Sequence, residues 1–145
     1  MKLKILCFED NLNDAKNLEA SFIEKGHQVD FLHYDLNEQW DEKSERAKGI
    51  ANFDPDLAIV DLADELGSRR KDSGFRLIRK LRELQESGNG RLKGFPIIAW
   101  SKLLKRGDAG NQIRQKTLDY GAIPIFKPRR KRFGIAEMLR KAKLQ

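Results

Sequence analysis

The stretch "PDLAIVDLAD", residues 55–64, decides the fold. Four apolar residues, Leu57 to Val60, run unbroken from a proline and acid lead into a further acid, Asp61. A short, partly β-branched run without alternation marks a strand buried on both faces, as in a parallel sheet covered by helices. An acid at the end of such a strand costs free energy unless it has partners or a task. Asp61 therefore becomes the residue to explain.

Working outward, Lys2 to Phe8 predicts a strand that closes on the pair Glu9-Asp10. Asn13 or Asp14 can cap the helix that follows, whose apolar positions Ala15, Leu18, Phe22 and Ile23 recur at helical spacing before a stop at Gly26. A second strand spans about Gln28 to Tyr34. The charged segment after it carries a weakly amphipathic helix from about Glu42 to Asn52. Beyond the central strand, "GFRLIRKLREL" places Phe75, Leu77, Ile78, Leu81 and Leu84 on a helix. "FPIIAWS" (95–101) is the fourth strand, "GNQIRQKTLDYG" (110–121) a helix, "AIPIF" (122–126) the fifth strand and Ile135 to Leu144 the last helix. Strands alternating with helices predict a doubly wound α/β domain: a five-stranded parallel sheet with helices on both faces. Without repeat or linker, the 145 residues read as a single domain, 1–145.

Composition narrows the class of function. No apolar run approaches the roughly 20 residues needed to cross a bilayer, so no membrane insertion is expected and the location is read as cytoplasmic. Cys7, the only cysteine, lies inside the first apolar run and reads as a small core residue. Trp100 reads as packing and Trp40 as a partly buried anchor; His27 and His33 flank the second strand without metal spacing and read as surface or edge residues. Lys and Arg number 29 against 22 Asp and Glu, a formal charge of +7, concentrated late in "KPRRKR" (127–132). Such a field suits nucleic acid, anionic lipid or an acidic protein, although a solvated basic surface is the preferred reading.

In sheets of this kind ligands bind beyond the carboxyl ends of the strands. Those ends deliver Glu9 and Asp10, then Asp61, Ser101 and Lys127. Clustered carboxylates repel one another unless a cation sits among them, and hard oxygen donors suit Mg²⁺. A divalent ion, an amine and a hydroxyl aimed near Asp61 are suited to a phosphoryl group on that carboxylate.

Taken in order, "KILCFEDN", "PDLAIVDLAD", "SGFRLIRKLRE", "FPIIAWSK" and "YGAIPIFKP" resemble the receiver domain of two-component response regulators, which has a flavodoxin-like fold. The resemblance implies that Asp61 accepts a phosphoryl group from a histidine kinase or phosphotransfer protein. It implies Mg²⁺ held by Glu9, Asp10, Asp61 and the Ala63 backbone carbonyl, with Ser101 as the switch hydroxyl and Lys127 on the phosphoryl oxygens. Pro128 is then expected to follow a cis peptide bond. The function implied is a stand-alone phosphoacceptor that signals by binding a downstream protein. It is no metabolic enzyme, though it has scope for weak autophosphatase activity. Its alternatives are a phosphorylation-independent interaction module and nucleic-acid binding through Arg129, Arg130, Lys131 and Arg132.

The chain departs from that family's pattern at several places. Asp64 and Glu65 stand where a Met-Pro step is common, and the loop from Asp61 to Gly74 is longer than usual and carries Arg69, Arg70 and Lys71. Lys102 follows the hydroxyl where a small residue is usual, and Pro124 replaces an aromatic side chain whose rotation reports phosphorylation. An aspartate-nucleophile phosphatase of the haloacid-dehalogenase type is disfavoured, because its acid two residues after the nucleophile is here Ala63.

Overall fold

A computed structural model of the chain describes residues 2–8, 12–31, 45–62, 73–86, 94–101, 104, 106–127 and 134–144. In chain order these form β1 (Lys4–Phe8), α1 (Leu12–Glu24), β2 (Gln28–Phe31), α2 (Glu45–Phe53), β3 (Leu57–Asp61), α3 (Ser73–Glu86), β4 (Ile97–Ser101), α4 (Asp108–Asp119), β5 (Ile123–Phe126) and α5 (Ile135–Lys141). The strands make one parallel sheet in the order β2-β1-β3-β4-β5. The order reverses between β1 and β3, and at their carboxyl ends such a reversal opens a crevice.

Every residue of β3 and β4 is buried, as unbroken apolar runs require of central strands. Because alternate side chains point to opposite faces, the sheet divides its core in two. Ile5, Cys7, Leu57, Ile59, Trp100 and Ile125 meet Leu18 and Phe22 of α1 and Met138 and Leu139 of α5. Leu6, Phe8, Val60 and Ala99 face the other way, against Ala47 and Ile50 of α2 and Ile78 and Leu81 of α3. Each large side chain so buried contributes about 1.5–3 kcal/mol of transfer free energy, which holds both helical layers on the sheet.

Local chemistry sets the ends of several elements. Gly26 takes φ 88° after α1, where Gly26 N–H donates to Ile23 C=O at 2.9 Å and His27 N–H to Phe22 C=O at 3.0 Å. This reciprocal pair closes the helix where the sequence places its stop. Pro124 has no N–H to give a ladder, and β5 lies at the sheet edge, where that loss is tolerated. Gly74 brings the start of α3 against the end of β3: a Cβ there would stand 2.8 Å from both the Asp61 carbonyl oxygen and Leu62 Cα.

Some expectations need correction. Ile23, read on the inward stripe of α1, is 53 % exposed, while Phe22 takes the buried position. α4 begins at Asp108, ahead of Gly110: Gly107 supplies the positive φ before it, and Gly110 sits buried in the first turn. His27 lies beside the edge strand β2, as expected, and there it is half-buried and accepts a hydrogen bond at Nδ1 from Leu3 N–H at 3.1 Å, so it fastens the start of β1. Residues 32–34 of the expected second strand, His33 and Trp40 lie outside the described residues. No described helix is long and apolar enough to cross a membrane.

Candidate functional site

The sheet ladder fixes the backbone that carries the candidate side chains. Asp61 lies level with Trp100, and Ser101 with Phe126. Beyond these pairs, Leu62 N–H donates to Trp100 C=O at 3.1 Å and Lys127 N–H to Ser101 C=O at 3.0 Å. Strand alternation then sorts the side chains. Asp61 continues the row of Leu57 and Ile59, and Lys127 the row of Ile125, so both belong to the face covered by α1 and α5. Ser101 continues from Ala99 and belongs to the opposite face.

On the α1 side three charges meet. Lys127 Nζ stands 3.5 Å from Asp61 Oδ2 and 2.5 Å from Asp14 Oδ2. The ammonium also lies 4.5 Å from the centroid of the Trp100 ring, so the aromatic face covers a flank of the cation. The Asp61 and Lys127 side chains each keep 4 % of their surface in solvent, whereas Asp14 keeps 23 %. Solvent thus reaches the cluster chiefly beside Asp14. Among the described residues two carboxylates hold this deeply covered ammonium, and without such partners burial would strongly disfavour its charge.

Asp14 is the member of this cluster that sequence reasoning missed. Read as a helix cap, it lies inside the first turn of α1. Positions 14, 18 and 22 are spaced four apart, and Leu18 and Phe22 are fully buried, so the stripe that carries the core contacts of α1 ends in a carboxylate. A polar residue continuing an apolar helical stripe was the available signal.

Ser101 is completely buried. Glu9, Asp10, Ala63, Lys102 and the run from Pro128 through Arg129, Arg130, Lys131 and Arg132 lie outside the described residues. Among the described residues no three His, Cys, Asp or Glu side chains gather as a metal site. The Asp61 carboxylate is a hard oxygen donor of the kind Mg²⁺ takes, and the residues expected to complete the set also offer oxygen, so the donor chemistry fits.

No family model matches the chain, and no curated protein is significantly similar to it. Solved structures are similar in fold. A response regulator from Thermotoga maritima superposes with a TM-score of 0.66 at 16 % identity, covering 99 % of each chain. The chemotaxis response regulator CheY4 of Vibrio cholerae gives 0.64 at 16 % identity, covering 97 % of this chain and 99 % of that one. A two-component response regulator from Clostridium difficile gives 0.64 at 19 % identity over 97 % of this chain and 96 % of its own. The five-stranded 2-1-3-4-5 sheet with its helices is the fold of a receiver domain.

Proposed function

We propose that this chain is a response-regulator receiver that accepts a phosphoryl group on Asp61 and signals by binding a protein partner. The observation that carries the reading is the Lys127 ammonium 3.5 Å from Asp61 Oδ2 at the carboxyl end of the central strand. In the transfer, an Asp61 oxygen bonds to phosphorus as the phosphorus–nitrogen bond of a donor phosphohistidine breaks, and the released imidazole takes up a proton. Lys127 neutralises charge on the transferred oxygens, which is where such catalysis gains most. Ser101, on the neighbouring strand and completely buried on the opposite face, would donate to a phosphoryl oxygen once its hydroxyl turns toward the strand ends. Glu9, Asp10, Asp61 and the Ala63 carbonyl would hold Mg²⁺, which supplies positive charge for the phosphoryl oxygens. Access is narrow, because Asp61 keeps only 4 % of its side-chain surface in solvent. A donor therefore approaches beside Asp14. Leu118 and Phe126, 52 % and 45 % exposed on α4 and β5, offer apolar surface to a downstream protein. Hydrolysis of its own aspartyl phosphate would make the protein a timer rather than a metabolic enzyme.

Incubation with Mg²⁺ and a small acyl phosphate, followed by intact-mass measurement, tests the reading. One phosphoryl adduct is expected on the native protein and none on Asp61→Asn. Absence of any adduct under conditions that limit hydrolysis would count decisively against it.

One observation favours a second reading, a phosphorylation-independent interaction module: Lys127 already has a closer carboxylate in Asp14 and the cluster is largely closed to solvent. In that case partner affinity is unchanged by Asp61→Asn and by removal of Mg²⁺.

A further inference from the structure

We infer that Asp14 is the resting counter-ion of Lys127 and competes with an incoming phosphoryl anion for its ammonium, setting how readily Asp61 is modified. The inference rests on the phosphoacceptor reading and adds to it a residue that controls anion capture.

Three observations carry it. Lys127 Nζ is closer to Asp14 Oδ2, at 2.5 Å, than to Asp61 Oδ2, at 3.5 Å, so of these two described carboxylates the one on the helix holds it more closely than the one on the strand. Asp14 is also the most exposed member of the cluster, at 23 % against 4 % for the other two, and so lines the way in. Its position is set by α1, whose Leu18 and Phe22 are fully buried, so the carboxylate is carried by an anchored helix.

The competition follows from charge. An ammonium has three donors, and here two described carboxylates lie within 3.5 Å of it while one flank of the cation lies against Trp100. An anion bound to Asp61 must draw the ammonium toward itself, and in doing so it weakens the Asp14 contact. The Asp14 carboxylate also repels that anion across a poorly solvated gap, where screening is weak. Both effects oppose capture, and both vanish when residue 14 is neutral.

The test is a titration with beryllofluoride, a phosphoryl analogue, in the presence of Mg²⁺, with the bound species followed by fluorine NMR. Wild type, Asp14→Asn, Asp14→Ser and Asp14→Glu are compared, with circular dichroism as the control for folding. Asp14→Asn and Asp14→Ser are expected to bind roughly five- to tenfold more tightly than wild type, in the range between the net worth of exposed and of buried charged pairs. Asp14→Glu, which keeps the charge, should stay near wild type. Binding by the neutral variants but not by wild type would support the inference most strongly. Equal affinity in wild type and Asp14→Asn would overturn it while leaving the phosphoacceptor reading intact. Weaker binding by Asp14→Asn would overturn it in favour of Asp14 assisting capture. Failure of every protein to bind would sink the phosphoacceptor reading and this inference with it.

Discussion

Lys127→Met tests whether the buried charges are held by mutual compensation. Methionine keeps most of the apolar stem that lies over Trp100, so the change removes charge more than packing. Of the three described charges, Asp61, with 4 % of its side chain exposed, and Asp14 then remain, without the ammonium between them. Breaking a buried pair from one side costs about 3–5 kcal/mol, and the partial exposure of Asp14 places the expected loss near the lower end, about 3 kcal/mol. With a urea slope of about 2 kcal/mol/M, the unfolding midpoint should fall by about 1.5 M. Asp61→Asn is expected to behave differently, because Lys127 retains Asp14 at 2.5 Å; its effect should stay within about 1 kcal/mol. Combining the two changes removes the buried Asp61 charge as well, so the double variant should be about 2 kcal/mol more stable than Lys127→Met alone, and after allowance for the single effect of Asp61→Asn the double-mutant cycle should read a coupling of about 2–3 kcal/mol. Urea unfolding of the four proteins at neutral pH is the assay. A loss under 1 kcal/mol for Lys127→Met, or strict additivity in the cycle, would refute the compensation argument.

Two further predictions concern the frame around the site. Gly74→Ala forces a Cβ to within 2.8 Å of two backbone atoms that cannot rotate away, and should lower stability by about 2 kcal/mol in urea unfolding; an unchanged midpoint would show that α3 can retreat freely from β3. Burial, aided by Lys25, holds the His27 imidazole below its ordinary value near 6.5. The unfolded chain then takes up that proton first as pH falls, so this contribution is complete above pH 7 and declines as pH drops through about 6.5 toward the lower folded value. His27→Gln, which can still accept from Leu3 N–H, should flatten that part of the stability profile; a profile as steep as wild type would place the dependence elsewhere.

Much of the fold was legible because strand burial leaves an unmistakable pattern. Leu57 to Val60 and Ile97 to Trp100 are apolar without alternation, and both proved to be central strands. Gly26 was readable as a stop because helix closure there needs a left-handed residue. The misreadings arose where tertiary contacts chose between local options. Nothing in the spacing of Phe22 and Ile23 says which of two adjacent apolar residues turns inward. Gly74 looks like any helix-start glycine until β3 is seen to approach its Cα. The strand-end positions of Asp61, Ser101 and Lys127 followed from topology, and the stripe of Asp14, Leu18 and Phe22 marked Asp14 as facing the sheet, but which strand end it meets depends on how α1 lies across the sheet, which spacing alone does not encode.

That approach changes the electrostatics of the proposed reaction. At rest the three described charges, Asp14, Asp61 and Lys127, sum to one negative unit. Converting a carboxylate into an acyl phosphate dianion adds another, in a place where water offers little screening. Lys127 cannot offset both, since the single positive charge it carries is already shared. The extra unit therefore has to be met by a divalent cation at Asp61 or by release of Lys127 from Asp14, and these routes are separable. If the cation suffices, Asp14→Asn leaves the Mg²⁺ concentration needed for phosphorylation unchanged; if Asp14 limits the reaction, the same substitution lowers that requirement.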